Sequence, residues 1–257
     1  MTSRTFHPTR TLAPVNHWLD RIDETGKERK PLPGVSHETG GEKFSMEGKV
    51  LPFPGNTFIC HINQSSKAYH VLCGLQDRLR ALPTARYFTF LPHKSFHMTV
   101  FCGISGNPIT TDGWPEGLDY DLTRDQMNRR FLNDIEKISG FSGVNVRADH
   151  LKAGYSIHAE PADQESFDAL WQMRDRLRAA TGLRRVDHDS YQFHISFAYR
   201  IGRMPRHVAK DHIQQSDALF EDVRADLLDI RLGPVEFCTF ETMHHFEPIK
   251  RLQPLEI

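Results

Sequence analysis

The chain has 257 residues, with 39% hydrophobic and 25% charged side chains and a formal net charge of −1. That composition sustains a buried core; it excludes wholesale disorder and a strongly basic wrapper of nucleic acid held by counterion release. Fifteen histidines stand beside four cysteines, and no stretch approaches the roughly 18 apolar residues of a membrane span. Residues 1–50 are polar and rich in turn formers (Pro31-Leu32-Pro33-Gly34, Gly40-Gly41), so they predict an irregular N-terminal arm lying on the core, with 51–257 as a single domain. Residues 57–63 (TFICHIN) read as a strand, opened by Gly55-Asn56-Thr57, for which a turn is preferred over polar groups that reach a cleft. Residues 65–82 follow as a helix, with Tyr69, Leu72, Leu75 and Leu79 at helical spacing, Ser65 or Ser66 to cap it and Pro83 to stop it. Residues 87–91 and 96–103 are two further strands, close enough to pair. Residues 105–126 form a long loop, 127–139 a short helix and 144–152 a strand.

The pattern then restarts. Residues 155–160 (YSIHAE) form a strand, and 163–181 a helix burying Phe167, Leu170, Trp171, Met173 and Leu177, with Gly182 just past its end. Residues 191–200 form a strand. The tail adds a helix over 205–219 and strands over 227–232, 235–241 and 244–249. The restart is a duplication. Asp77-Arg78-Leu79-Arg80-Ala81 recurs as Asp175-Arg176-Leu177-Arg178-Ala179, 98 residues on. His61 and His158 are 97 apart, and so are His97 and His194. Helix, strand and histidine in one register indicate two similar lobes of strand–helix–strand plan.

Each lobe carries one short motif: Phe96-His97-Met98-Thr99-Val100-Phe101 and Phe193-His194-Ile195-Ser196-Phe197-Ala198. Strand side chains alternate faces, so His97 and Thr99 share one face while Phe96, Met98 and Val100 point into a core. His194 and Ser196 are placed likewise. Two imidazoles across a cleft can share the work of proton transfer. A neutral ring takes a proton from the nucleophile, and a protonated one gives a proton to the leaving group. The hydroxyls of Thr99 and Ser196 suit the nonbridging oxygens of a phosphate.

Two H-x-[T/S] motifs in strands of a duplicated chain resemble the 2H phosphoesterase superfamily, the group of 2′-5′ RNA ligase-like proteins and cyclic nucleotide phosphodiesterases. PFPGNTFICHI, FHMTVFCGI and YQFHISFAY are similar to one bacterial and fungal branch of it, a domain of unknown function. The resemblance runs from about residue 48 to the C-terminus. It implies a bilobal α+β fold, with two antiparallel sheets flanking a central cleft. It implies a metal-independent phosphodiesterase acting on a 2′,3′-cyclic phosphate or a related nucleotide or RNA-end bond. His97 and His194 are its catalytic pair and Thr99 and Ser196 its phosphate-binding hydroxyls. Which histidine is acid and which base stays open.

Around these four, Arg200 lies six residues after His194, on the face of His194 and Ser196 if the strand is continuous. His61 and His158 hold matched places in the first strands and are candidates to line the cleft. Tyr87, Tyr199 and Trp114 are candidates to stack on a base, with core or loop packing preferred for each, and Tyr199 is also a candidate to line the cleft. Arg174, Arg176, Arg178, Arg184 and Arg185 are read with their neighbouring acids as a solvated helical face. Cys102, five residues after His97, is expected to face away from it.

No metal and no cofactor are expected. Asp187-His188-Asp189, His244-His245 and His207/His212 show no ligand spacing, and Cys60, Cys73, Cys102 and Cys238 make no C-x-x-C. The expected partner is a nucleotide or RNA-end substrate, with no membrane and no extended nucleic-acid track. With no secretory signal at the N-terminus, the expected location is the cytoplasm. Two other function classes compete: a binder of cyclic nucleotides or RNA ends without turnover, and a metal-dependent hydrolase using the surplus histidines.

Overall fold

The structure, a computed structural model, describes residues 4–8, 32, 34–36, 41–107, 109–110 and 113–254. Most of the expected arm lies outside these residues, as does part of the expected loop at 105–126.

The first lobe begins at β1 (Val35–Ser36), β2 (Phe44–Ser45) and β3 (Gly55–His61), followed by α1 (Lys67–Arg80), β4 (Phe88–Phe90) and β5 (His97–Ser105). Next come α2 (Arg124–Asp134), β6 (Asn145–Lys152), β7 (Ser156–Pro161), α3 (Gln164–Thr181), β8 (His194–Ser196) and β9 (Ala198–Arg200). The tail is α4 (Arg206–Val223), β10 (Ile230–Arg231), β11 (Val235–Thr242) and β12 (His245–Leu252).

Local chemistry sets these bounds. Ser66 caps α1 by accepting from the Tyr69 amide, and Pro83 opens a short 3-10 turn beyond it. Thr123 and Gln126 form a capping box at α2. Asp163 caps α3 through the Ser166 amide, and Gly182 ends it at a φ of 73°, a left-handed turn that suits glycine. Leu72, Leu75 and Leu79 are at most 2% exposed, and each contributes about 2 kcal/mol of burial.

The fold is α+β, with a large curled antiparallel sheet and, among the described residues, two small two-stranded ones, β1-β2 and β4-β9. The large sheet has eight strands in the order β10-β6-β7-β8-β5-β3-β11-β12. The duplication is visible in that order. β5 and β8 are central partners, joined at Met98–Ile195, and β3 and β7 flank them on either side. The four helices among the described residues cover one face. There Phe58, Met98, Ile157, Ile195 and Phe237 of the sheet pack with Leu72, Met127, Phe131, Leu170, Met173 and Phe220. Two smaller clusters stand apart from this core. One holds Phe44, Phe53, Phe240 and Phe246; the other holds Phe88, Ala198, Met204 and Ile213. The cleft lies between them.

Several expectations are corrected. Residues 87–91 and 96–103 do not pair with each other: β4 pairs with β9, because β3 and β8 already occupy both edges of β5. The expected strand over 191–200 breaks at Phe197, whose side chain stays in the core while its carbonyl accepts from the Leu91 amide at 2.8 Å and from Gln76 Nε2 at 2.9 Å. Gly55-Asn56-Thr57 is strand rather than turn. Arg174 is 1% exposed, not part of a solvated face. Within the arm, Arg4 pairs with Asp175 at 2.7 Å and lies over the Trp171 ring at 4.5 Å. Among the described residues no helix is long and apolar enough to cross a membrane.

Candidate active site

His97 opens β5 and His194 opens β8. The strands are antiparallel with Met98 opposite Ile195. That register sets His97 across from Ser196 and Thr99 across from His194, all on the face opposite the helices. The two imidazoles are diagonal neighbours, with Cβ atoms about 7 Å apart. A hydroxyl sits beside each ring.

Both rings are oriented by the chain just before them. His97 Nδ1 lies 2.7 Å from the Ser95 carbonyl, and His194 Nδ1 lies 2.9 Å from the Gln192 carbonyl. A carbonyl only accepts, so each Nδ1 carries the proton and donates it. In the neutral ring, Nε2 is then the unprotonated nitrogen.

His97, Thr99, His194, Ser196 and Tyr199 line one cavity of about 270 Å³. Phe53, Leu91, Phe240, Met243 and Phe246 give it an apolar wall, and the Phe246 ring centroid is 4.3 Å from that of His97. Arg200 lines an adjoining cavity of about 310 Å³, together with Lys43, Lys152, Tyr155, His194, Ser196 and Tyr199. It arrives by a route different from the one expected, since β9 has left the large sheet. His61 and His158 line neither cavity. They sit one strand out, opposite His97 and His194 respectively. His61 Nδ1 is 2.5 Å from Glu236, and His158 Nε2 is 3.2 Å from Glu160. Of the other aromatic candidates, Trp114 is buried in the main core and Tyr87 packs beside the smaller cluster of Phe88 and Met204.

Beyond the apolar wall, Lys43, Cys102 and Tyr191 are three further residues of the cavity that were not among the sequence candidates. Lys43, from the arm, lies 3.3 Å from the Tyr199 hydroxyl and over the Phe53 and Tyr199 rings at 5.4 and 5.2 Å. Cys102 also lines the cavity, contrary to expectation. β5 carries an extra residue where Phe58 pairs with Phe101 but Ile59 pairs with Thr99. Val100 and Phe101 both enter the core, and the cleft face resumes at Cys102. Arg174 holds this bulge from beneath: Nη1 donates to the Val100 carbonyl at 2.6 Å and Nη2 to the His188 carbonyl at 3.0 Å. The Arg174 guanidinium stacks 4.2 Å from the ring of Tyr191, the third of these residues. Gly103 admits no side chain, since a Cβ there meets Asn56 Oδ1 at 1.9 Å.

Burial pushes the His97 imidazole down to about 4, more than its bond to Ser95 lifts it, and His61, His194 and Lys43 push the same way. Burial also lowers His194, with Lys152, His158 and Lys43 adding to the effect. Lys43 is held above the usual lysine range, chiefly by the Tyr199 phenol. The cavity therefore favours neutral rings beside one ammonium until an anion enters.

Known proteins resemble this chain in sequence and in fold. Residues 43–153 match the family model for 2H phosphodiesterases, described as a domain of unknown function (DUF1868). A conserved protein of unknown function from Agrobacterium tumefaciens superposes with a TM-score of 0.81 at 27% identity, over 91% of this chain and 98% of that one. Uncharacterized protein 127L of Invertebrate iridescent virus 6 is 24% identical over 180 residues, 63% of this chain and 73% of that protein. A crystal structure of a phosphoesterase aligns at 10% identity, with a TM-score of 0.47, over 80% of this chain and all of that one. The match to the 2H phosphodiesterase family model covers the part of the chain that carries His97 and Thr99.

Proposed function

We propose that the chain is a cyclic phosphodiesterase that hydrolyses a 2′,3′-cyclic phosphate of a nucleotide or RNA end by two-histidine acid–base catalysis. The observation that carries this reading is the matched pair of rings, each with Nδ1 tied to a carbonyl and Nε2 left for chemistry.

In ring opening, His97 Nε2 takes a proton from water as the water oxygen bonds to phosphorus. The bond from phosphorus to one ribose oxygen breaks, and His194 Nε2 delivers the proton that this oxygen needs. The product is a ribose phosphomonoester, and the two rings exchange protonation states. His97 suits the base role because its enclosed ring stays neutral. A phosphate between the rings favours a protonated His194 by adding the nearby negative charge that the empty cavity lacks. Thr99 and Ser196 donate to the nonbridging oxygens, where charge builds in the transition state, and Lys43 supplies a full positive charge. The apolar wall of Phe53, Phe240 and Phe246 accepts a base by stacking. The step needs no ion at the phosphate.

The test is turnover of a panel of 2′,3′-cyclic nucleotides and cyclic-phosphate RNA ends in EDTA. Loss of turnover in His97→Ala and His194→Ala supports the reading; undiminished activity in either sinks it. Tight binding of a cyclic nucleotide with no turnover would favour a non-catalytic binder.

A further inference from the structure

We propose that Asp149, His150 and His158 form a binding site for one divalent transition-metal ion of the zinc class. It lies one strand outside the catalytic pair and is separate from the proposed reaction.

The site is built by a bulge. In β6, Ala148 pairs with Ala159 but His150 pairs with His158, so the strand carries one extra residue. Ala148 and Leu151 remain in the core, 1% and 2% exposed. Asp149 and His150, though adjacent in sequence, therefore both leave the core face. They meet His158, whose strand neighbours Ile157 and Ala159 point into the core. The three ligand atoms lie within 4.8 Å of one another. Asp149 is 1% exposed and His158 6%, so this is not a solvated surface cluster.

The hydrogen bonding is incomplete in a specific way. His158 Nε2 lies 3.2 Å from Glu160 Oε1, and the carboxylate beside it favours the ring proton on that nitrogen. Nδ1 is left with its lone pair, buried and with no hydrogen bond. It faces Asp149 Oδ2 at 3.7 Å, too long for a hydrogen bond and with a lone pair on each side. Asp149 Oδ2 is also 2.8 Å from His150 Nδ1. Ligands about 2.0 Å from a tetrahedral zinc stand about 3.3 Å apart, between those two spacings. A cation among the three atoms meets the buried lone pair of His158 and the Asp149 carboxylate, and His150 gives up its Nδ1 proton on binding, as a metal-bound imidazole must. Glu160 behind His158 is the orienting carboxylate that metal-bound histidines usually have. Two imidazoles with one carboxylate suit zinc or cobalt(II) better than magnesium or calcium.

The matching place in the first lobe argues by contrast. His61, Glu236 and Cys238 also lie together. There Glu236 is already satisfied, by His61 Nδ1 at 2.5 Å on one oxygen and Arg251 Nε at 2.7 Å on the other. Burial raises the Cys238 thiol far above its usual range, so it stays protonated. Both oxygens of the Glu236 carboxylate are thus partnered, and no buried nitrogen or oxygen of this cluster is left without a hydrogen bond.

The experiment uses the full, untagged chain, stripped with EDTA and titrated with cobalt(II) without substrate. Loss of the phosphodiesterase reading therefore leaves its outcome untouched. Visible absorption and calorimetry are expected to report one ion per chain at micromolar affinity or tighter. His158→Ala should weaken binding more than about tenfold, and Cys238→Ser should leave it unchanged. His150→Ala, at a less buried position, decides the point if His158→Ala does not fold. Three results overturn the proposal: affinity no tighter than millimolar in the intact protein, affinity kept in the folded histidine variant, or affinity lost in Cys238→Ser.

Discussion

His97 and His194 are oriented by the same device: each donates its Nδ1 proton to the carbonyl two residues upstream, Ser95 at 2.7 Å and Gln192 at 2.9 Å. The device fixes the tautomer and the aim of Nε2 in both rings. Either histidine changed to alanine should lower kcat/KM on a cyclic-phosphate substrate by about 10²- to 10⁴-fold. The double variant should lose far less than the product of the two, because the rings act as a unit. Steady-state kinetics of the four proteins checks both points, and a fully multiplicative loss contradicts the paired role.

Burial holds the His97 imidazole near a pKa of about 4. A base with that pKa is neutral across the ordinary range. The acid limb of kcat/KM for the free protein should therefore have its midpoint well below the usual histidine value of about 6.5. Stability follows with a definite sign. The unfolded chain protonates His97 as pH drops through about 6.5, while the folded chain resists until about 4. The unfolded state binds more protons in that window, so the protein loses stability as pH falls from 6.5 to 4. Urea titrations of the native chain and His97→Asn across this range check it. Equal slopes in the two proteins contradict the shift.

Where local rules govern, the fold was legible in the sequence. The caps and apolar spacing of α1 and α3 place both helices within two residues of their observed ends. The offset shared by the histidines and DRLRA finds the two lobes, and with them His97, Thr99, His194 and Ser196. Non-local pairing hides the rest. Alternation continues unbroken through Phe197, so nothing in the sequence marks the point where β9 leaves to join β4. Cys102 has the wrong parity for the cleft face, and only the extra residue in β5 puts it there. Asp149, His150 and His158 have no ligand spacing along the chain, because a bulge and a strand pairing assemble them. Lys43 belongs to a polar stretch with no periodicity, and its role depends on where Phe44 is buried.

Lys43 brings an ammonium to the cavity that holds the rings of His97 and His194, with the Tyr199 hydroxyl 3.3 Å away. Lys43→Gln removes that charge and keeps most of the volume. A hydrogen bond to a charged group is worth about 1.5–3 kcal/mol, so kcat/KM should fall about 10- to 100-fold. Lys43→Arg should recover part of the loss by keeping the charge. The effect should also shrink with added salt, since the interaction is between full charges. Glutamine at full activity would remove Lys43 from the phosphate site.

Arg174 is the large charged side chain of the core, and its function is structural. Its two bonds, to the Val100 and His188 carbonyls, satisfy acceptors that no water reaches. One of them holds the extra residue of the β5 bulge, and the bulge turns Cys102 to the cleft. Burial lowers the guanidinium pKa, yet the stack on Tyr191 at 4.2 Å and the two carbonyls suit the charged form. Arg174→Met keeps the apolar length of the side chain and leaves both carbonyls without a donor. Each buried unsatisfied group costs about 1–3 kcal/mol, and relief of the guanidinium's own desolvation offsets part of the sum. The expected loss is about 2–4 kcal/mol, read as a lower urea midpoint with an unchanged slope. A midpoint equal to that of the native chain would show that the bulge stands without Arg174.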